Sequence, residues 1–180
     1  MDDLPAFDLA ARWHAGQTRK GCKQEPFVQH PLRVAGILIQ HGVTRRDLIS
    51  AALLHDILED TDCPPEEIRT QFGNEVWGWV MEVTDRKELL KSLRKQMQVE
   101  RAEMLSPEAK LIRLADKIDN LESLLTDPPA NWSWLRQREY VAWANRVVKN
   151  LGPVHPEMER HYQKVRDQLW LKATGQSTQS

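Results

Sequence analysis

The feature that most constrains the fold of this 180-residue chain is the spacing of its apolar residues, which follows a helical period almost throughout. The clearest stretch starts at Ser106-Pro107-Glu108, a typical helix beginning, and its apolar positions are Leu111, Leu114, Ala115, Ile118, Leu121 and Leu125. No segment alternates apolar and polar residues as a half-buried strand would, and no repeat or interdomain linker stands out. We therefore predict an all-α fold with one domain over residues 1–170 and a flexible tail over 171–180.

Capping residues mark the ends of further predicted helices. One helix is expected to begin at His30-Pro31 and to stop at Gly42. Residues 45–59 are predicted to form a single continuous helix, and the helix that begins at Pro64-Pro65 is expected to be interrupted at Gly73. The remaining predicted helices cover 6–15, 88–104, 132–150 and 155–170, and a basic loop is expected over 17–29.

The overall charge excludes some classes of partner. The chain carries 25 basic and 26 acidic residues, a formal net charge of −1, so no global field attracts nucleic acid or an anionic membrane. Cys22 and Cys63 lack metal-type spacing and suit a reducing cytosol. No signal peptide or membrane-spanning apolar run is visible. We expect a cytoplasmic protein with a small-molecule partner, without nucleic acid or membrane binding; the sequence does not indicate its oligomeric state.

The stretch LLHDILEDT, residues 53–61, places four ionisable side chains in an otherwise apolar helix. In a continuous helix, spacings of three and four residues put His55, Asp56, Glu59 and Asp60 along one edge. Burying three unpaired acids would be costly, and a divalent cation would offset that cost because imidazole and carboxylate are metal ligands. Since adjacent helical residues diverge by about 100°, His55 and Asp56 could hold one ion from one side only. Other ligands must come from elsewhere in the chain.

Two residues outside this stretch are candidate ligands. His30 stands at a helix start, where the positive end of the helix dipole disfavours imidazolium and leaves a nitrogen lone pair free. Asp116 interrupts the apolar stripe of LADKIDNL. Taken singly, a histidine before proline is more often a surface cap, and an aspartate beside Lys117 is more often a salt-bridge partner. The combination of His30, His55-Asp56 and Asp116 is far more specific than any one of these residues.

The chain resembles a known family, the HD-domain metal-dependent phosphohydrolases. Within that family it is most similar to the small alarmone hydrolases related to the hydrolase half of the RelA/SpoT enzymes. The resemblance covers about residues 6–170. It rests on segments in family order and at family distances, namely HAGQTRK, PFVQHPLRVA, AALLHDILEDT, FGNEV, VTD, RKQMQVE, AKLIRLADKIDNL and WSWLRQREYVAWANRVVKNL.

The resemblance implies a helical bundle around one ion, usually manganese, and hydrolysis of the 3′-diphosphate of guanosine tetra- or pentaphosphate with release of pyrophosphate. The implied metal ligands are His30, His55, Asp56 and Asp116. The family's paired acids fall on Glu59 and Asp60, and its basic loop falls on Arg19 and Lys20. Its nucleoside-contacting positions fall on Asn120 and Tyr140.

The chemistry of such a reaction assigns roles to these residue types. One ion can polarise the phosphoryl oxygen and activate a water, and Glu59 and Asp60 are placed to orient or deprotonate that water. The pyrophosphate needs cations, and Arg19-Lys20 and Arg94-Lys95 are the expected clamps. Pairs of basic residues more often lie on the solvated surface without binding a ligand. This is the alternative interpretation of Arg94-Lys95.

Three positions depart from the family pattern, and other functions stay open. Gly21 follows Lys20 where an acid is common, Phe27 replaces a common tyrosine, and Asp119 stands where an aromatic residue or histidine is usual. A negative charge at 119 leaves the choice between guanine and adenine open. The alternatives are a phosphatase of another nucleotide, such as NADPH or a nucleoside monophosphate, a non-catalytic nucleotide-sensing module and, least favoured, an adaptor with an accidental His-Asp pair.

Overall fold

The computed structural model describes residues 5–176, and within that range it contains helices and no strands, as the all-α prediction requires. The only strand-like pairing among the described residues is one isolated bridge between Thr18 and Pro26. The helices are α1 (Pro5–Trp13), α2 (Gln29–Gln40), α3 (Arg46–Leu54), α4 (Ile57–Asp60), α5 (Pro65–Val83), α6 (Lys91–Arg101), α7 (Pro107–Thr126), α8 (Trp134–Leu151) and α9 (Pro156–Gln176), with a 3₁₀ turn at Ala102–Met104.

Helix α7 lies at the centre of the bundle and packs against α2, α5, α8 and α9. Its start is fixed by Ser106, whose hydroxyl accepts a hydrogen bond from the backbone N–H of Ala109 at 3.2 Å, with Pro107 in the first turn. The apolar stripe predicted from the sequence is largely buried, and Leu114, Ile118 and Leu121 are fully inaccessible to solvent. Each such side chain contributes roughly 1.5–3 kcal/mol on burial. The central helix therefore carries much of the core.

The prediction of one continuous helix over residues 45–59 was wrong. Helix α3 ends at Leu54, α4 begins at Ile57, and Asp56 between them has φ −100° and ψ −5°. The ring of His55 turns back, and its Nδ1 donates to the carbonyl oxygen of Ala52 at 2.8 Å. That carbonyl would otherwise accept the next backbone hydrogen bond, so the side chain competes with the helix. The break lets two consecutive residues, His55 and Asp56, face the same side.

The basic loop between α1 and α2 is fastened to the end of α7. The backbone N–H of Lys23 donates to the carboxylate of Asp127 at 3.2 Å, and the Cys22 thiol donates to the carbonyl oxygen of Pro128 at 3.2 Å. Gly21 makes the closest approach: a Cβ built there would overlap the Asp127 carboxylate and lie 2.7 Å from the Asp127 carbonyl oxygen. The loop can reach this position only because residue 21 has no side chain.

The other predicted helix boundaries agree with the structure to within a few residues. Gly73 interrupts α5 with a φ of 83°, in the left-handed region that favours glycine. Helix α9 extends to Gln176 and so includes part of the predicted tail, whereas residues 177–180 lie outside the described range. Among residues 5–176, no helix combines the length and apolar character needed to cross a bilayer.

Candidate active site

The structure brings His30, His55, Asp56 and Asp116 together from α2, the α3–α4 break and α7. The Nε2 atom of His30 lies 3.2 Å from the Nε2 of His55, 3.3 Å from Oδ2 of Asp56 and 3.3 Å from Oδ1 of Asp116. The Nε2 of His55 is 3.3 Å from the same Asp56 oxygen and 4.0 Å from Asp116 Oδ1. Both histidines are almost completely buried. We name these four side chains the His-Asp cluster.

The hydrogen bonds made by the Nδ1 atoms of the two histidines determine which ring nitrogens of the cluster can accept a proton or a metal ion. His55 Nδ1 donates to the Ala52 carbonyl, and His30 Nδ1 donates to the Asp119 carboxylate at 2.6 Å. In the neutral imidazole the remaining nitrogen is then an acceptor, so both Nε2 atoms present lone pairs towards the two aspartate oxygens. The side chain of Asn120 donates to one of these four converging acceptors, Asp116 Oδ1, and the others require a proton or a cation among them.

The donor set of the His-Asp cluster fits a divalent cation. Two imidazole nitrogens and two carboxylate oxygens are ligands that transition ions such as Mn²⁺ accept, and neighbouring ligand atoms around one ion stand roughly 3 Å apart. Burial lowers the pKa of His30, but its hydrogen bonds to Asp116, Asp119 and Asp56 outweigh burial and raise that pKa to about 10. The cluster thus has a strong tendency to attract positive charge, which a metal ion would supply in place of a proton.

Asp116 is both a member of the cluster and a salt-bridge partner of Lys117, the two roles that the sequence left open. Its Oδ1 faces the cluster, while its Oδ2 lies 3.0 Å from Lys117 Nζ and 3.8 Å from Arg113 Nη1. The side chain of Asn120, one turn further along α7, also donates to Oδ1. The salt bridge to Lys117 therefore orients the carboxylate and does not remove it from the cluster.

Glu59 and Asp60 lie on α4 beside the cluster, but their carboxylates are not among its four converging acceptor atoms. The Oε1 of Glu59 accepts from Arg94 at 3.2 Å, and its Oε2 accepts from the backbone N–H of Asp85 at 3.3 Å. Burial and the negative charges of Asp85 and Asp56 raise the pKa of Glu59 to about 7. Burial and Asp56 also raise the pKa of Asp60, whose carboxylate is 3.8 Å from Lys87 Nζ. A carboxylate with a pKa near neutrality is suited to proton transfer.

A cavity of about 1070 Å³ opens over the cluster. It is lined by every residue predicted for the site except His55, whose Nε2 lies 3.2 Å from the Nε2 of His30. The four predicted clamps, Arg19, Lys20, Arg94 and Lys95, all face it. Further cations line it as well, among them Lys91, which was not predicted, and Lys117, which was predicted only as a salt-bridge partner of Asp116. Lys91 could have been found from its position one turn before Lys95 on α6.

The positive charges in this cavity repel one another. Burial, together with Lys91 and Lys117, lowers the pKa of Lys95. Burial and the neighbouring Lys20, Arg136 and Arg94 likewise lower the pKa of Lys91. Such a cluster of cations attracts an anion carrying several charges.

Aromatic side chains form part of the wall of the cavity. The Tyr140 ring packs between Trp132 and Trp143, with centroid distances of 5.5 and 5.3 Å. Lys95 Nζ lies 4.7 Å from the Trp143 ring centroid, and Lys117 Nζ lies 4.5 Å from the same centroid. On the loop side, Arg19 Nη2 donates to the Asn120 carboxamide oxygen at 3.1 Å. The predicted nucleoside contacts, Tyr140 and Asn120, therefore flank one cavity.

A helical bundle with a paired His-Asp step at a helix break, completed by a distant histidine and aspartate, is the arrangement of an HD domain. The family model of the HD domain matches residues 6–146. The chain belongs to the HD domain family.

The chain is similar to named relatives over most of its length. It is 46% identical over 157 residues to human guanosine-3′,5′-bis(diphosphate) 3′-pyrophosphohydrolase MESH1, covering 87% of this chain and 88% of the human protein. The Drosophila melanogaster protein of the same name is 43% identical over the same shares. A solved structure described as a metazoan ortholog of SpoT that hydrolyzes ppGpp superposes with a TM-score of 0.89 at 40% identity, covering 92% of this chain and 93% of that one.

Proposed function

We propose that this protein is a metal-dependent 3′-pyrophosphohydrolase of guanosine 3′,5′-bis(diphosphate), ppGpp, and that it releases pyrophosphate and guanosine 5′-diphosphate. The observation that carries the proposal is the opening of the His-Asp cluster, beside Glu59, into a cavity lined by cations. The human and fly relatives named for this activity support it, because they match nearly the whole chain.

We further propose that His30, His55, Asp56 and Asp116 hold one divalent cation, with Mn²⁺ as the expected ion. The convergence of their four acceptor atoms and the high affinity of the cluster for positive charge support this assignment. When bound, the ion supplies Lewis-acid polarisation of a phosphoryl oxygen and favours ionisation of water.

Glu59 acts as the proton acceptor in this proposal, and Asp60 orients the attacking water. The water oxygen bonds to the phosphorus attached to the 3′ oxygen, and Glu59 takes one proton from the water. The bond between that phosphorus and the 3′ oxygen breaks, and the 3′ oxygen takes up a proton as it leaves. One water is consumed for each pyrophosphate released. Arg94, which holds Glu59 Oε1 at 3.2 Å, keeps the carboxylate directed into the cavity.

The remaining cavity residues bind and position the nucleotide. Arg19, Lys20, Arg94 and Lys95 bind the phosphates, since charge-assisted hydrogen bonds to phosphate oxygens are stronger than neutral ones. Tyr140 and Asn120 position the nucleoside part. Residues 1–170 act as one HD-type domain in this proposal, and the location is cytoplasmic, consistent with two unpaired cysteines.

Product analysis tests the proposal. The purified protein with Mn²⁺ is incubated separately with guanosine tetraphosphate, adenosine tetraphosphate and NADPH, and the products are separated by chromatography. Pyrophosphate release from guanosine tetraphosphate is expected, and release from the adenosine compound would extend the substrate range. Orthophosphate from NADPH alone would replace the proposal with a nucleotide phosphatase, and no turnover would replace it with a sensing module. The Asp56→Ala variant, purified identically, excludes a contaminating hydrolase.

A further inference from the structure

Asp119 is a fully buried carboxylate that lies outside the His-Asp cluster. Its side chain has no exposed surface, and its two oxygens have separate partners: Oδ2 accepts from His30 Nδ1 at 2.6 Å, and Oδ1 accepts from Arg33 Nε at 2.5 Å. Arg19 Nη2 lies 3.6 Å from Oδ2. The sequence suggested that this acid could affect recognition of the base, but the side chain points to α2 and to the basic loop.

Arg33 holds this carboxylate in a single orientation. Arg33 lies three residues after His30 on α2, so the two side chains leave the same face of that helix. Its Nη1 donates to Glu25 Oε2 at 3.0 Å, which positions the guanidinium from the loop side. With Oδ1 occupied by Arg33, the other oxygen of Asp119 is directed at His30. A continuous series of charged contacts thus runs from Glu25 through Arg33 and Asp119 to the cluster.

The two histidines of the cluster differ in how their rings are held. His55 donates to a backbone carbonyl, which no substitution of a neighbouring side chain removes. The ring of His30 is held by a carboxylate, a stronger acceptor that also fixes the tautomer with the proton on Nδ1 and the lone pair on Nε2. Carboxylates placed behind ligand histidines typically change metal affinity by 10- to 100-fold when they are removed.

We infer that Asp119 is a positioning residue: with Arg33 behind it, it aims His30 Nε2 at the metal and links that histidine to Arg19 of the substrate-binding loop. The inference rests on the proposed function for the identity of the site. It also predicts that metal affinity depends on a residue of α2, Arg33, that does not itself touch the cluster.

The primary test is metal affinity without substrate. Metal-stripped protein is titrated with Mn²⁺ by calorimetry, and melting temperature is recorded on the same preparations. Asp119→Ala is expected to weaken Mn²⁺ binding about 10- to 100-fold. The control is Glu122→Ala, which removes another α7 carboxylate bonded to a histidine, His161 at 2.8 Å, that is not a member of the cluster; its Mn²⁺ affinity should stay at the wild-type value. An unchanged Mn²⁺ dissociation constant in Asp119→Ala, with only the melting temperature lowered, would overturn the inference.

A second variant separates positioning from folding. Arg33→Met leaves the cluster and Asp119 in place, and a loss of affinity of a few fold is expected because Asp119 becomes free to rotate. In the double variant, Arg33→Met should add nothing to the loss from Asp119→Ala, since Arg33 acts through Asp119. Fully additive losses would refute that order of action. If Asp119→Ala does not fold, Asp119→Asn replaces it, with a smaller loss expected because the amide oxygen can still accept from His30.

The outcome is independent of whether ppGpp is the substrate. If substitutions of Asp119 and Arg33 weaken Mn²⁺ binding but the protein does not hydrolyse ppGpp, the inference stands and the proposed function is wrong. A wild-type protein that binds no Mn²⁺ would remove the inference, whatever its activity.

Discussion

Replacing Glu59 by glutamine tests whether this side chain accepts a proton or only supports the site. The amide is nearly isosteric, so the His-Asp cluster keeps its atoms, but an amide cannot take a proton from water. General-base catalysis contributes about 100- to 10,000-fold, so kcat should fall by that factor, equivalent to roughly 3–5 kcal/mol in the barrier. Metal content, measured by elemental analysis, should stay at the wild-type level. A near-normal kcat in a variant with full metal content would refute the catalytic role.

The pH profile gives an independent measurement on the same residue. A general base works only when it is deprotonated, and the pKa of Glu59 is raised to about 7 by burial and by Asp85 and Asp56. A bound cation beside Asp56 lowers this pKa, so kcat/KM of the wild type should fall tenfold per unit on the acidic side of a midpoint at or below pH 7. This acidic limb should be absent from the residual activity of Glu59→Gln.

Asp85→Asn is the matched control for that profile. It removes a negative charge next to Glu59 but leaves the Asp85 backbone N–H that donates to Glu59 Oε2. With less repulsion the pKa of Glu59 should decrease, so the acidic limb should move to lower pH while the rate at pH 8 changes little. A limb that does not move in Asp85→Asn would mean that another group sets it.

Three further variants probe separate parts of the protein. Asp56→Ala should lose bound metal and activity together, because the remaining ligands form an underfilled site; a full metal complement by elemental analysis would contradict the ligand assignment. Arg19→Ala should raise KM about 10- to 100-fold, the loss of one or two charge-assisted hydrogen bonds, and lower kcat less. A loss confined to kcat in steady-state kinetics would place Arg19 in transition-state stabilisation instead. Ser106→Ala removes the cap of α7 and should cost about 1 kcal/mol in denaturant unfolding with kcat unchanged; an unchanged unfolding midpoint would mean that the cap contributes nothing.

The helical architecture could be predicted because its signals are local. The period of the apolar residues and the cap at Ser106 are properties of neighbouring residues, and both agree with the structure. The break at His55-Asp56 could not be predicted in this way, because Leu53, Leu54, Ile57 and Leu58 continue the helical pattern across it. The break depends on where the His55 ring turns, because in an unbroken helix the carbonyl of Ala52 that the ring contacts would accept a backbone N–H instead.

The residues of the site were predictable in part for a similar reason. The residue types and the family resemblance indicated His30, His55, Asp56 and Asp116 as a group, and the structure places them together. The direction of Asp119 was not predictable, because it depends on Arg33, which lies 86 positions earlier in the chain. The pairing of Glu59 with Arg94 was missed for the same reason, since the two are 35 positions apart.

The close approach of Gly21 to Asp127 limits how this protein can change by mutation. Any side chain at position 21 would collide with both the carboxylate and the backbone carbonyl of Asp127, so a smaller residue at position 127 could relieve only half of the conflict. Substitutions at 21 therefore cannot be rescued by a single partner change and require the whole loop that carries Arg19 and Lys20 to move away from α7. A side chain at position 21 would therefore also displace the cations that this loop places at the cavity.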